Sequence, residues 1–474
     1  MNFRHSKIVC TIGPASRSPR MIKRLLQAGM DVARLNFSHG SHAEHARSIA
    51  LLRAASIEHK KPIAILADLQ GPKIRTGPLA GRGPVQLHAG QRFVITTARI
   101  LGDSTRVSTT FKSLPREVRP GNRILLSDGL IELRVVQVRG VEVICDVVNG
   151  GALGENKGIN LPGIKLRVPA LTAKDRQDLV FALKQGANYI AVSFVRRRED
   201  VLQAKSLIRR AGKDTPIIAK LEKPEAIENL DAILRTADGV MVARGDLGVE
   251  MKPERVPVVQ KMVIARAREF RRPVITATQM LESMTENPRP TRAEASDVAN
   301  AIFDGSDAVM LSAETATGKY PVETVSIMAR IIEEAESSIR EFPRPSTQEQ
   351  LKVAETVAEL VCHASRELHM KLIAVFTHSG FTARLVSRYR PLVPIIAFSP
   401  EAETRRRMAL IWGVMPKNIK DPHKIDTLAS LAEKRLLEER LVRKGDVIGI
   451  VAGTPMGIRG TTNFMKFHVI GGTI

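Results

Sequence analysis

The sequence is poor in cysteine, in aromatic side chains, in long apolar runs and in acid, and each shortage excludes something. Its 474 residues include three cysteines, Cys10, Cys145 and Cys362. They lie too far apart for a metal-binding spacing or a disulfide framework, which suits a reducing cytoplasm. No apolar run approaches the roughly 20 residues that a membrane helix needs. Residues 1–7 lead straight into Ile8-Val9-Cys10 without the apolar core of a signal peptide. A cytoplasmic protein with no membrane partner is the expectation. Aromatics make up 4% of the chain, which leaves little material for stacking nucleic-acid bases. Acid is the largest shortage: 49 Asp+Glu stand against 72 Lys+Arg, a formal net charge of +23. Such a surplus suits nucleic acid or small polyanionic substrates. The basic residues are scattered among acids, with the longest clusters at Arg196-Arg197-Arg198 and Arg405-Arg406-Arg407, so no specific nucleic-acid partner is expected.

What is present is a globular composition, 43% hydrophobic and 26% charged, on a chain long enough for two or three domains. Short apolar segments alternate with helical ones from the start to about residue 340. The expected strands are Lys7–Thr11, Val32–Phe37, Ile63–Asp68, Tyr189–Phe194, Ile217–Leu221, Gly239–Ala243, Val274–Ala277 and Ala308–Leu311. Helix starts are signalled by Ser41 with Glu44 and by Thr172 with Asp175, each a capping-box spacing. Eight βα units of this kind predict a (β/α)8 TIM barrel of the α/β class.

One interruption, residues 71–169, is rich in Gly, Val and Thr and reads as an inserted all-β lid domain, with strands at Gln91–Thr97, Arg123–Leu126, Ile131–Val138 and Val141–Val147. The barrel therefore comprises residues 1–70 plus 170–340. After a Pro-rich linker at 341–346, residues 347–474 predict a C-terminal α/β domain with strands Leu372–Phe376, Ile395–Phe398, Val447–Val451 and Phe467–Ile470.

In a barrel the chemistry lies at the carboxyl ends of the strands. The stretch Asp238–Glu250 turns from the apolar run Val240-Met241-Val242 into Arg244-Gly245-Asp246-Leu247-Gly248, a loosened turn whose glycines let backbone approach an anion. One strand earlier, Lys220 and Glu222 lie two apart and share a side. Two carboxylates and two cations, Arg244 among them, suit a metal-bound, phosphate-bearing substrate. Strand two ends in Arg34, Asn36, Ser38 and His39, strand three in Asp68-Leu69-Gln70-Gly71-Pro72-Lys73-Ile74-Arg75, strand seven in Thr276 and Thr278, and strand eight in Ser312 and Glu314. Polar groups gather where a barrel would place its active site.

Seven motifs carry a resemblance: Val9–Ser16, Arg34–Gly40, Gly71–Arg75, Lys220–Glu222, Met241–Gly248, Ala277–Ser283 and Leu311–Thr315. In this order, with the β insert, the chain from residue 7 to about 474 resembles pyruvate kinase. The resemblance implies a barrel, a lid and a C-terminal effector and assembly domain. It further implies phosphoryl transfer from phosphoenolpyruvate to ADP, a last step of glycolysis, in a homotetramer. Glu222 and Asp246 would hold Mg²⁺ or Mn²⁺. Arg34 and Lys220 would face the transferring phosphoryl group. The backbone at Gly245 and Asp246, with Thr278, would take the substrate carboxylate. Thr278, supported by Ser312 and Glu314, would protonate the enolate. Asn36, His39, Arg75 and Lys157 would meet the nucleotide.

Many members carry Glu where this chain has Lys73, and those need potassium beside Asn36, Ser38, Asp68 and the Leu69 carbonyl. The Lys73 ammonium would stand in for that ion, so potassium is not expected to be required. In the C-terminal domain the hydroxyl-rich loop Thr377-His378-Ser379-Gly380-Phe381-Thr382 opens a helix and would cradle the phosphate of a phosphorylated allosteric effector. Arg384, Arg388 and Arg390 follow close in sequence. The competing reading is a metal-dependent pyruvate- or phosphoenolpyruvate-type aldolase or lyase on the same barrel.

Overall fold

The fold is described from a computed structural model, covering residues 3–81, 83–164, 168–341, 352–420, 425–455 and 461–472. Most of the linker at 341–346 lies outside these residues.

Eight parallel strands close into a barrel: Lys7–Thr11, Val32–Asn36, Ala64–Asp68, Tyr189–Val192, Ile217–Leu221, Gly239–Ala243, Val274–Ala277 and Ala308–Leu311. Nearly every residue of these strands is buried, as expected when a parallel sheet is covered on one face by helices and on the other by its own filled interior. Val9, Leu66, Met241, Ile275 and Met310 pack in the centre, while Ile65, Val192, Val242 and Leu311 face the helix ring. Both capping boxes form: Ser41 starts the helix His42–Glu58 and Thr172 the helix Ala173–Lys184.

Two local expectations fail for backbone reasons. The fourth strand stops at Val192, and Phe194 takes φ +54°, a left-handed turn that a continued strand could not contain. The Arg244–Glu250 segment is a helix beginning directly at the strand end, where a glycine turn was expected, with Gly245 and Gly248 inside it.

The chain leaves the barrel after Asp68 and forms a six-stranded sheet in the order Ile159–Asn160, Arg123–Leu126, Ile131–Arg139, Glu142–Asn149, Arg92–Thr96, Arg106–Ser108. A small ribbon pairs Val85–Leu87 with Gly151–Leu153. This unit has its own core around Phe93, Ile124, Leu133 and Cys145.

The C-terminal sheet runs Val414–Asn418, Ile395–Ser399, Leu372–Phe376, Val447–Gly453, Thr462–Val469, with the last strand antiparallel. Val414–Asn418 escaped sequence reading because Pro416, Lys417 and Asn418 interrupt its apolar pattern. Such residues are tolerated because the strand lies at the sheet edge. This domain sits under the amino-terminal end of the barrel, through Tyr189 Oη to the Arg407 carbonyl (2.7 Å) and Lys7 Nζ to the Val414 carbonyl (2.8 Å). The lid and the C-terminal domain therefore occupy opposite ends, and the carboxyl ends of the strands face the lid.

Candidate active site

The second, third and fifth strands bring their last residues together as a charged lattice. Strand register pairs Thr11 with Arg34 and Asn36 with Asp68. Arg34 donates through Nε to Asp68 Oδ2 at 2.7 Å and through Nη1 to Thr11 Oγ1 at 3.0 Å. Lys220 Nζ stands 3.2 Å from Asp68 Oδ1 and 2.8 Å from Glu222 Oε1, and donates to Ser193 Oγ at 2.8 Å. Burial alone would strip charge from Lys220, but Asp68 and then Glu222 outweigh it and hold its pKa above the ordinary lysine range. Burial likewise works against the Asp68 carboxylate, and Lys220 with Arg34 reverses that and keeps it ionised. Two cations are thus fixed, charged and nearly buried at the barrel mouth.

Glu222 also accepts from the Phe194 N–H at 2.7 Å. Burial raises its pKa, and the neighbouring Asp246 carboxylate adds to the rise. Lys220, 2.8 Å from Glu222, pulls the other way. Among the described residues no group of three or more metal-ligating side chains occurs. Two carboxylates with room for substrate oxygens are the usual protein share of a Mg²⁺ or Mn²⁺ site, so the residues present fit a hard divalent cation.

Thr278 is held at φ +71°. Its hydroxyl accepts from the Gly245 N–H at 2.8 Å, so the helix start and the seventh strand end already face one another. Arg244 departs from expectation. It turns away from the mouth to Asp297 (2.6 Å) and to the Thr278 carbonyl (2.7 Å), bracing the strained threonine instead of meeting substrate. Glu314 is buried, with its pKa raised chiefly by that burial, and accepts from the Ser312 and Leu281 N–H groups at 2.6 and 3.3 Å. Ser312 heads the short helix Ala313–Ala316, yet its hydroxyl does not cap it. That oxygen is buried and has no hydrogen-bond partner among the described residues.

On the lid side, Arg75 Nη1 donates to the Asn156 carbonyl at 2.9 Å and the Lys157 N–H to Thr76 Oγ1 at 2.9 Å. His39 lies within reach of their field: burial and then Arg75, Lys73 and Arg34 lower its pKa and keep it neutral. Asn36 caps the turn by accepting from the Ser38 N–H at 3.1 Å, and the Leu69 carbonyl is taken by Ser193 Oγ at 2.7 Å. The partners of Asp68 are Arg34 and Lys220, and Lys73 lies in the cleft under the lid, its Cε 3.9 Å from where a Cβ on Gly158 would stand. The backbone N–H of Lys73 donates to the Gly71 carbonyl at 2.8 Å.

Sequence reading passed over the ends of the first and fourth strands and so missed Thr11 and Ser193. It also missed the lid seam, where Asn160 Nδ2 and Lys223 Nζ both donate to Glu250 Oε1, at 2.9 and 2.6 Å. The period-two spacing of Ser193 beyond Ala191 was the available signal for the first omission.

The deciding comparison is with family models. One described as pyruvate kinase, barrel domain, matches residues 3–325, and one described as pyruvate kinase, alpha/beta domain, matches residues 355–468. The chain belongs to the pyruvate kinase family. It is 47% identical over 473 residues to a pyruvate kinase of Geobacillus stearothermophilus, covering 98% of this chain and 80% of that one. It is 43% identical to one of Clostridium acetobutylicum, covering 98% and 99%. A crystal structure of a pyruvate kinase from Cryptosporidium parvum superposes with a TM-score of 0.92 at 38% identity, over 98% of this chain and 96% of that one. Membership makes the chain a phosphotransferase of the pyruvate kinase type and gives the lyase reading no support.

The C-terminal loop has a built turn. Gly380 sits at φ +76° and donates to Thr377 Oγ1 (3.0 Å), Thr382 Oγ1 bonds Thr462 Oγ1 (2.8 Å), and the His378 carbonyl accepts from Thr404 Oγ1 (2.7 Å). Of the three arginines that follow, Arg384 touches the loop through the Ser379 carbonyl at 3.2 Å, and Arg390 leaves it for Asp307 of the barrel at 2.9 Å.

Proposed function

We propose that the chain transfers the phosphoryl group of phosphoenolpyruvate to ADP, with Arg34 and Lys220 stabilising the charge that spreads over the phosphoryl oxygens. The observation that carries this is the Arg34–Asp68–Lys220–Glu222 lattice. It fixes two cations beforehand, so no reorganisation is needed when charge develops. Glu222 and Asp246 would hold Mg²⁺ or Mn²⁺, which when bound would neutralise charge on the substrate oxygens. The Gly245 and Asp246 N–H groups and the Thr278 hydroxyl orient the substrate carboxylate. Thr278, with the Ser312 hydroxyl and the protonation-prone Glu314, delivers the proton that turns the enolate into pyruvate. His39, Asn36, Arg75 and Lys157 receive the nucleotide from the lid side.

Potassium is not required in this reading, because Lys73 carries a positive charge into the same cleft. The Thr377–Thr382 loop holds the phosphate of an allosteric effector, and four chains assemble.

Lys220→Ala should lower turnover by roughly 10²–10³-fold or more while the Michaelis constants change far less, since the lost charge acts chiefly in the transition state. A coupled assay of pyruvate formation measures this, and near-normal turnover in the variant would remove Lys220 from the role.

A further inference from the structure

The lid and the barrel mouth meet at a buried carboxylate. Glu250 ends the short helix Arg244–Glu250, and only 2% of its side chain is exposed. Its Oε1 accepts from Lys223 Nζ of the barrel at 2.6 Å and from Asn160 Nδ2 of the lid at 2.9 Å. A carboxylate buried this far needs such partners to offset its lost hydration. The barrel side of the contact leads to both carboxylates of the mouth. Asp246 stands four residues before Glu250 in the same helix, so the two share a helix face. Lys223 directly follows Glu222 in sequence, and its Nζ lies 5.8 Å from the centre of the Phe194 ring. The Phe194 N–H in turn donates to Glu222 at 2.7 Å. The Lys223–Glu250 ion pair therefore clamps together the segments that carry Glu222 and Asp246.

The lid side leads to the nucleotide. Asn160 lies in the strand Ile159–Asn160, and the Ile159 N–H donates to the Ile74 carbonyl at 2.9 Å. Arg75 bridges Gly158 beside it, and Lys157 comes next in the chain. A second lid contact lands next to the first. The turn Ser127–Gly129, with all three residues at positive φ, follows the strand that pairs with Ile159–Asn160. A Cβ on Gly129 would stand 3.7 Å from a Val249 methyl. The lid thus sits on the last turn of the helix whose first turn holds Asp246.

We propose that Glu250 is a positioning residue for phosphoryl transfer. It seats the lid through Asn160 so that Arg75 and Lys157 reach ADP, while Lys223 holds the Glu222 segment against the helix of Asp246. The inference rests on the reading of the barrel mouth as the site of phosphoryl transfer to ADP. Glu250 itself touches no reacting atom and acts through these neighbours.

Substituting Glu250 alone would leave Lys223 buried without a counter-charge, so the test starts from Asn160, which is half-buried. Asn160→Asp keeps the volume and puts an acceptor where Glu250 needs a donor. In full-length enzyme it should raise the Michaelis constant for ADP about five- to tenfold and leave that for phosphoenolpyruvate within about twofold. Asn160→Asp combined with Glu250→Gln faces a donor to an acceptor again and keeps one carboxylate near Lys223. This exchange should return the ADP constant to within about twofold of the parent. A residue that only fills space predicts neither the loss nor the recovery. Hydrogen exchange read by mass spectrometry follows the same contact without substrate or metal. Segments 157–161 and 244–251 should exchange roughly five- to tenfold faster in Asn160→Asp and at the parent rate in the double variant. A parent enzyme that forms no pyruvate would remove the reading of the reaction, and the exchange rates would still judge the contact. Either readout of Asn160→Asp within twofold of the parent would overturn the proposal, as would a folded double variant no better than Asn160→Asp.

Discussion

Lys73 shows how far one residue can be read. Its identity gives a cation where the resemblance sets a carboxylate in potassium-dependent members, and the fold adds that its Cε stands 3.9 Å from the place a Cβ on Gly158 of the lid would take. The proposed independence from potassium then rests on the charge of the whole cleft, where Lys73, Arg75 and Arg34 already act together on His39. Activity should be similar in sodium, potassium and tetramethylammonium salts at matched ionic strength, matched because exposed charges respond to screening alone. Lys73→Glu should lower activity and make it depend on potassium. Tenfold or greater activation of the parent enzyme by potassium over tetramethylammonium would contradict this.

A second lysine gives a prediction about pH. Lys7 is buried, and that burial lowers its pKa from 10.5 to about 8 although Asp31 pulls the other way. Between those values the unfolded chain holds a proton that the folded chain has released, so the Lys7 contribution to stability increases with pH across that window. Relative to Lys7→Met, the parent should gain up to ~3 kcal/mol from pH 7.5 to 10.5. Denaturant titrations of both proteins across the range measure it, and a pH-independent difference would show that Lys7 keeps its ordinary pKa.

Among the elements, the loop Thr377–Thr382 and the helix after it face the barrel together. Thr377 accepts from the Gly380 N–H and Thr382 bonds Thr462, while Ser379 lines the same cavity as Arg384 and Arg388 of the helix. Ser379→Ala with Thr382→Ala should therefore abolish activation by a phosphorylated metabolite and leave the fully activated rate unchanged. Substrate-saturation curves with and without sugar phosphates and nucleoside monophosphates decide it. If none of these shifts the curve of the parent enzyme, the loop is only the start of a helix. The lid seam is an element-level feature of another kind: Asn160, Lys223 and Glu250 come from three distant segments, and nothing in any one of them announces the contact.

For the whole molecule, the C-terminal sheet ends on the strand Thr462–Val469, whose outer side leaves Phe467 and Val469 more than 40% exposed. An unpaired apolar edge invites a second copy, which supports the proposed tetramer. Phe467→Lys should shift the sedimenting species to a smaller assembly at micromolar concentration, and an unchanged mass would place the subunit contact elsewhere.

The sequence by itself determined the barrel, its order of strands, the insertion point of the lid and the identity of Lys220, Glu222, Arg34 and Asp246. Alternation of short apolar runs with capped helices is a local pattern, and the polar residues that break each run fall at the strand ends. Only tertiary structure decided what those residues do to one another. The turn of Arg244 toward Asp297, the nearness of Lys73 to Gly158, the Ser193 and Thr11 contacts and the arginine cavity under the barrel all depend on segments remote in sequence. Their energies come from burial and from charges a few ångströms apart, and such distances exist only once the chain has closed.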